Sequence, residues 1–366
     1  MSDEPQPSAM TAEQLAARLG TDRAPMLVDV REPDEFAQWS IPGSRNIPLA
    51  ELASRAGEVA TDRQVVVVCA AGERAKRGRA ALEAAGIAAV ELAGGMAAWA
   101  SVYDTATVDL GAAQVVQVRR RGKGCCSYVV GAAGEAFVVD PTLETGRYLA
   151  EASARRWRVT RVFDTHLHAD HVSGGRALAA AAGATLHLNP ADGFEFDFEP
   201  LADGQRFTLG DAVDVGVTAI ATPGHTRGST VFQVGGRALL TGDTLFVDGV
   251  GRPDLAERAE EFAADLHRSL RAKVLTLPVG TVVLPGHYGD AVAVAPGVPV
   301  AATLGDLRAS LPQLGWDEAA FVEWAAHRAT PRPPNYDEII RVNMGRGSAT
   351  AEETSRLELG PNRCAA

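Results

Sequence analysis

Short apolar runs alternate with segments of helical periodicity over the first hundred residues. Val65–Val68 is an unbroken run of β-branched residues, which is typical of a parallel strand that is buried on both faces. Met26–Val30 has the same character. Ala75–Ala85 is predicted to be a helix that stops at Gly86, since glycine commonly ends helices. This alternation predicts an α/β domain with a parallel sheet and flanking helices.

A different pattern begins after residue 113. Three short apolar strands follow one another and predict a β-meander, at Val115–Val118, Ser127–Val130 and Phe137–Val139. Further strands end in loops that contain histidine or aspartate, and the pattern turns helical around Leu304–Leu311 and Glu318–His327. Because residues 101–111 are small or polar without a clear period, the linker is placed there.

Composition is that of an ordinary globular protein. The 366 residues are enough for two domains, and 46% of them are hydrophobic. The formal net charge of −11 argues against a nucleic-acid partner. The basic cluster at Arg119–Arg121 and Lys123 is interpreted as a solvated turn. No apolar run approaches the roughly 18 residues of a membrane helix, so no membrane partner is expected.

The cysteines and the first residues bear on the cellular compartment. Cys69, Cys125, Cys126 and Cys364 lack the spacing of a disulfide framework. The acidic start of the chain is unlike a secretory signal peptide. We therefore expect a cytoplasmic protein in a reducing environment. A homo-oligomer is compatible with the sequence.

Cys69 is the first candidate for chemistry. It follows the strand Val65–Val68 directly and precedes small residues that include Gly72. Backbone N–H groups of such a loop can point inward and form a nest that stabilises a thiolate or a persulfide. Arg74 adds a cation that can hold a sulfur oxyanion. The alternative is a buried structural cysteine.

The segment Thr11–Ala100 resembles the rhodanese family. The resemblance depends on four groups of residues, which are Leu27–Arg31, Ile41–Ser44, Cys69–Arg74 and Leu92–Met96 with Trp99. It implies that Cys69 carries sulfane sulfur as a persulfide. Related phosphatases have five residues between cysteine and arginine; here there are four, which favours sulfur over phosphate. Asp29 and Arg31 are expected to form a structural pair that supports the loop.

A dense set of metal-ligand side chains follows the apolar run Val159–Phe163. The pattern H-x-H-x-D-H comprises His166, His168, Asp170 and His171. Imidazole and carboxylate suit zinc or iron. The alternative, a polar loop that happens to contain histidines, does not explain so many ligand-type side chains at one strand end.

Three further ligand-type residues each follow an apolar strand and a glycine. They are His225 in the sequence TPGHT, Asp243 in LLTGDT and His287 in LPGH. Glycine before a ligand permits a sharp turn that aims the side chain into a cleft. Each could singly be a hydrogen-bonded loop residue, but together with the first cluster they form a coherent metal site.

The whole set resembles the metallo-β-lactamase superfamily over about Gln114–Met344. The resemblance implies an αββα sandwich with metal at the strand ends. Hydrolases of the glyoxalase II type use the full set for two zinc ions. Persulfide dioxygenases bind one Fe(II), and the matching positions here are His166, His225 and Asp243. His168, Asp170, His171 and His287 would then be a second metal position or support for the ligands.

Two observations favour the dioxygenase. The segment after Asp243 contains Gly-Arg-Pro-Asp, which resembles persulfide dioxygenases and makes Arg252 a candidate for substrate binding or for support of the active site. Its alternative is a structural pair with Asp254. The rhodanese-like segment also shares sulfur substrates with such an oxidase. Tyr288 is a second substrate-binding candidate, although the residues after His287 depart from the His-Asp-Tyr order of glutathione persulfide dioxygenases.

The predicted organisation has a sulfurtransferase domain at residues 1–103, a linker at 104–113, a metal-dependent domain at 114–345 and a tail with little core at 346–366. The predicted function is Fe(II)-dependent oxidation of a low-molecular-weight thiol persulfide by O2 to sulfite. Cys69 would transfer sulfane sulfur among persulfide, sulfite and thiosulfate. The alternatives are a dinuclear zinc thioester hydrolase and a non-oxidative sulfur carrier.

Overall fold

The computed structural model describes residues 8–59, 62–210, 212–253, 258–328, 335–358 and 360. Among these residues, no helix has the length and apolar character needed to cross a membrane. The chain forms a parallel-sheet domain followed by a sandwich domain.

The parallel-sheet domain has five strands in the order β1-β5-β4-β2-β3, and every pairing is parallel. Its elements are β1 (Ala9–Met10), α1 (Ala12–Ala16), β2 (Met26–Asp29), α2 (Pro33–Gln38), β3 (Arg45–Asn46), β4 (Val65–Val68), α3 (Glu73–Ala84), β5 (Ala89–Leu92) and α4 (Gly95–Trp99). The predicted α/β architecture is confirmed.

The four consecutive valines of β4 are all buried. Val66 and Val68 pack into one apolar cluster, and Val65 and Val67 into another. Because successive side chains of a strand point to opposite faces, both faces of β4 are covered.

The predicted pair of Asp29 and Arg31 is also present. The two side chains form a buried ion pair with a 2.7 Å N–O distance. Arg31 Nη2 also donates to the carbonyl of Trp39 at 2.6 Å. The pair therefore fixes the end of β2 to the segment that follows α2.

The sandwich domain contains two sheets. The seven-stranded sheet has the order β12-β11-β10-β9-β8-β7-β6 and comprises β6 (Tyr103–Asp109), β7 (Gln114–Arg120), β8 (Cys125–Ala132), β9 (Glu135–Val139), β10 (Arg158–Phe163), β11 (Thr185–Leu188) and β12 (Glu199–Pro200). The six-stranded sheet follows chain order and comprises β13 (Arg206–Leu209), β14 (Ala212–Ala221), β15 (Thr230–Val234), β16 (Ala238–Gly242), β17 (Val282–Pro285) and β18 (Ala302–Thr303).

Helices cover both outer faces of the sandwich. They are α5 (Thr145–Ala154), α6 (Gly175–Ala182), α7 (Ala259–Ser269), α8 (Leu304–Ser310) and α9 (Glu318–Ala326). Two further helices come later in the chain, α10 (Tyr336–Asn343), which packs on the loop after β10, and α11 (Ala351–Leu357). Phe163 and Phe232 lie in the core between the sheets. Tyr148 of α5 packs on the first sheet, and Leu266 of α7 packs on the second. The predicted αββα arrangement is confirmed.

The predictions for the linker and the tail are wrong in part. Most of the predicted linker belongs to β6, which pairs with β7 along its whole length. Main-chain hydrogen bonds hold this edge strand, so it needs no strong apolar period. In the tail, α11 forms, and Leu357 and Glu358 are buried. The last residues, including Cys364, lie outside the described part of the chain.

The interpretation of Arg119–Arg121 and Lys123 as a solvated turn is wrong, because these side chains are buried. Arg119 and Arg121 both pair with Asp104 of β6, at 2.7 and 2.8 Å. Arg120 pairs with Glu358. Local sequence could not reveal carboxylates that come from a neighbouring strand and from residues more than 200 positions away. Buried charges of this kind are stable only when paired.

Burial of His187 in β11 should make the stability of the fold depend on pH. It is buried and stacked on Phe163, and neither ring nitrogen has a hydrogen-bond partner among the described residues. Burial, with a contribution from Arg161, lowers the pKa of His187 to about 4. In the unfolded chain that pKa is about 6.5, so the unfolded state binds the extra proton as pH falls from 6.5 to 4.

As the pH falls from 7 to 4.5, the free energy of unfolding of the wild type should therefore decrease by on the order of 2–3 kcal/mol more than that of His187→Leu. Urea titrations of both proteins at several pH values measure this difference. Parallel stability curves would contradict the buried, neutral state of His187.

Candidate metal centre

The predicted ligands meet at one edge of the sandwich because each follows the end of a strand. Asp243 comes directly after β16, and His287 follows β17, which is parallel to β16. Carboxyl ends of parallel strands lie at the same edge of a sheet. His166 follows β10 of the other sheet, and His225 follows β14. Both sheets therefore contribute ligands to one buried site.

His166, His225 and Asp243 form a compact group whose ligand atoms all lie within 4.8 Å of one another. The Nε2 atoms of His166 and His225 lie 3.7 and 3.5 Å from Asp243 Oδ2. All three residues are at most 3% exposed. His166 Nε2 and Asp243 Oδ2 have no hydrogen-bond partner in the described part of the chain, which is costly for buried polar atoms. The residues present therefore fit a metal cation.

The opposite side of each ligand is held by a hydrogen bond. Thr165 Oγ1 lies 2.9 Å from Nδ1 of His166. Nδ1 of His225 donates to the carbonyl of Arg252 at 2.9 Å. His287 Nδ1 lies 2.6 Å from Asp243 Oδ1. Such contacts fix the orientation of metal ligands and leave the facing atom free for the metal.

The protonation states also suit a metal. Burial lowers the pKa of His166 and of His225, so both imidazoles are neutral at pH 7 and can donate a lone pair. Burial opposes ionisation of Asp243, but His287 and His166 outweigh it and the pKa is lowered. The site thus offers two neutral nitrogens and one carboxylate.

A second group lies beside the first and includes a residue that the sequence did not suggest. Cys125, Asp170, His171 and His287 place their ligand atoms within 4.8 Å of one another. Asp170 Oδ2 lies 3.0 Å from His287 Nε2 and accepts from Cys125 Sγ at 3.3 Å. The only sequence signal for Cys125 is its position at the start of β8.

His168 belongs to a third group, with Asp140 and Asp164. Its Nε2 lies 3.1 Å from Asp140 Oδ1, and its Nδ1 is buried without a partner within the described ranges. Burial opposes the charge on His168, but Asp140 raises its pKa to about 9. Burial raises the pKa of Asp164 to about 6. The two aspartates follow the parallel strands β9 and β10, a signal that sequence reasoning missed.

The Cys69 loop has the geometry expected of an anion nest. Cys69 Sγ accepts from the backbone N–H groups of Gly72 at 3.1 Å and Ala75 at 3.2 Å. Arg74 forms two bonds, of 2.6 and 2.7 Å, to the carboxylate of Glu35. These bonds to Arg74 lower the pKa of Glu35 to about 2. Glu35 was not recognised from the sequence as a neighbour of this loop.

Comparison with known families supports both halves of this arrangement. Residues 11–102 match the rhodanese-like domain, and residues 120–287 match the metallo-beta-lactamase superfamily. The chain joins a rhodanese-like domain to a metallo-beta-lactamase-fold domain.

Two kinds of relative resemble the metallo-beta-lactamase-fold domain. Mitochondrial persulfide dioxygenase ETHE1 of Bos taurus is 28% identical over 222 residues, 59% of this chain and 81% of that protein. Hydroxyacylglutathione hydrolase of Rhizobium johnstonii is 38% identical over 147 residues, 39% of this chain and 54% of that protein. The chain thus spans about half the length of the hydrolase. The crystal structure of ETHE1 from Myxococcus xanthus has a TM-score of 0.56 and 28% identity, covering 64% of this chain and 99% of that one.

The two predicted substrate-binding residues lie outside the three ligand groups. Arg252 is 1% exposed, and its carbonyl orients His225. Asp254, its alternative partner, lies outside the described residues. Tyr288 packs against the sandwich core with its hydroxyl buried. It also lines a cleft of about 300 Å³ next to Trp39 and Trp99 of the rhodanese-like domain. Substrate binding by either residue stays a prediction.

Proposed function

We propose that the metallo-beta-lactamase-fold domain is an Fe(II)-dependent persulfide dioxygenase and that the rhodanese-like domain transfers sulfane sulfur through Cys69. The group of His166, His225 and Asp243 carries this proposal, since two histidines and one carboxylate on one face are typical of iron oxygenases. The similarity to persulfide dioxygenase ETHE1 supports the reaction class. The rhodanese-like domain on the same chain supports a sulfur substrate.

His166, His225 and Asp243 would hold the iron. Bound there, ferrous iron would supply the redox chemistry that converts a thiol persulfide (R–S–SH), O2 and water into the thiol, sulfite and two protons. The protein's part is positioning. Thr165, the carbonyl of Arg252 and His287 each hold one ligand from behind. Asp243 supplies the negative charge that balances part of the cation's charge.

At the rhodanese-like site, the N–H groups of Gly72 and Ala75 face the sulfur of Cys69. They can stabilise the anion when Cys69 attacks a sulfane sulfur and releases sulfite or a thiol. The ion pair of Arg74 with Glu35 places a guanidinium beside the loop. Persulfide, sulfite and thiosulfate are therefore the proposed small-molecule partners.

Metal analysis combined with an oxygen electrode tests the function. The purified, iron-reconstituted protein is expected to contain a single iron per chain. It should consume O2 with a thiol persulfide and form sulfite in equal amount. Stoichiometric zinc in the purified protein, together with no O2 consumption after iron reconstitution, would rule the proposal out.

A dinuclear zinc thioester hydrolase is the second candidate. Within the described residues, His168 Nδ1 and His171 Nε2 are also buried without hydrogen-bond partners, as expected if more than three side chains bind metal. The hydrolase relative has the higher identity over its shorter match. This candidate predicts two zinc ions per chain and thioester hydrolysis that proceeds without oxygen.

Cys69→Ser is expected to separate the two activities. Thiosulfate sulfurtransfer should fall at least ~100-fold, because the hydroxyl is a poor acceptor of sulfane sulfur. Iron content and O2 uptake should stay near those of the wild type. Both rates are measured on the same preparation, with thiosulfate and cyanide for the first and a thiol persulfide for the second. Loss of both activities would show that the two sites depend on each other.

A further inference from the structure

The metal-binding loop, residues 165–173, is held from outside by the C-terminal part of the chain. The side-chain amide of Asn343 in α10 donates to the carbonyls of His168 and His171, both at 2.8 Å. Its oxygen accepts from the backbone N–H of Ser173 at 2.9 Å. Asn343 is 6% exposed, and both its N–H groups and its oxygen are engaged.

Glu358 contacts the same loop from the end of α11. One carboxylate oxygen accepts from the backbone N–H of Val172 at 2.8 Å. The other oxygen pairs with the guanidinium of Arg120. Arg120 Nε in turn donates to the carbonyl of Ala100 at 2.8 Å, at the end of the last helix of the rhodanese-like domain. The buried side chains of Glu358 and Arg120 therefore link the metal-binding loop to that domain.

We propose that Asn343 and Glu358 are positioning residues that set the conformation of the metal-binding loop and connect it to the rhodanese-like domain. Between them they engage four backbone groups, at His168, His171, Val172 and Ser173. The loop also contains His166, so we expect a change in the loop backbone to move this ligand. Both residues lie beyond the segment that matches the metallo-beta-lactamase superfamily. The proposal rests on the proposed metal site but requires neither iron in particular nor oxidation.

Hydrogen–deuterium exchange of the metal-free protein and metal affinity test this role. Asn343→Asp keeps the size of the side chain but removes both donors. Glu358→Ala removes both contacts of the carboxylate. Glu352→Gln, at an exposed position of α11, is the matched control. Fe(II) and Zn(II) dissociation constants are measured by competition with a chelator.

Both variants should weaken binding of either metal about 10–100-fold, the range for residues that orient metal ligands. Exchange at residues 165–173 should rise in both variants, whereas exchange at 98–104 should rise only in Glu358→Ala. The control should match the wild type. Unchanged loop exchange and affinity in both variants would overturn the proposal, whichever reaction the enzyme catalyses.

Glu358→Gln covers the case in which Glu358→Ala does not fold. The glutamine oxygen can still accept from Val172, but it carries no charge for Arg120. Exchange should then rise at residues 98–104 while the metal affinity stays closer to the wild type than in Asn343→Asp. No change at 98–104 would overturn the link to the rhodanese-like domain.

Discussion

Asp243→Ala is expected to release the metal and abolish O2 uptake. Asp243 is the one anionic member of its group, and its Oδ2 faces the Nε2 atoms of both histidines. Its removal leaves two neutral imidazoles, too few ligands and no charge to hold a divalent cation. Loss of a residue that only orients a ligand typically weakens metal binding 10–100-fold. Loss of Asp243, a direct ligand, should therefore weaken metal binding more than about 100-fold.

Iron content after gel filtration and O2 uptake measure this effect. Asp265→Ala is the matched control, because Asp265 forms a surface ion pair with Arg268 on α7. The control should retain its iron, since exposed pairs contribute little to stability. Full iron occupancy in Asp243→Ala would show that another residue, such as His168 or His287, completes the site.

The sequence predicted two features at strand ends, the nest at Cys69 and the group of His166, His225 and Asp243, but it missed Asp140 and Asp164 at the ends of β9 and β10. Val65–Val68 predicted a strand with two buried faces, and Cys69 at its end has the expected nest. His166, His225 and Asp243 were selected by resemblance, and the structure brings them together. In these places the local pattern and the tertiary arrangement agree, because a strand end fixes where the next side chain lies.

Sequence reasoning failed where a partner comes from a distant part of the chain. The edge strand β6 is stabilised by its ladder with β7 and not by an apolar period. Arg120 is buried because Glu358 pairs with it. No local window contains both partners of such a contact.

Arg252 shows a contact that residue type alone does not predict. It was selected because its segment resembles persulfide dioxygenases, and its backbone carbonyl accepts a hydrogen bond from His225. A carbonyl leaves no signature in residue type. The adjacent Gly251, which lets this backbone approach Asp243, is the signal that the sequence did contain.

Gly251→Ala is therefore expected to damage the metal site without removing a ligand. A Cβ atom at this position would lie 1.8 Å from the carbonyl oxygen of Asp243 and 3.2 Å from Cβ of His225. The backbone of residues 243 or 251 must shift to relieve this overlap. Since a displacement of about 1 Å can cost on the order of 100-fold in rate, O2 uptake should fall at least ~10-fold and the iron affinity should decrease.

Gly280→Ala is the control for adding a methyl group, because a Cβ atom there would have no atom of the described residues within 4 Å beyond its own chain neighbours. O2 uptake at increasing iron concentration and thermal unfolding are measured for both variants. Gly280→Ala should behave like the wild type. Wild-type iron affinity and O2 uptake in Gly251→Ala would mean that the close approach of residues 243 and 251 is not needed to position Asp243. The ligand would then be held chiefly by its side-chain contact with His287.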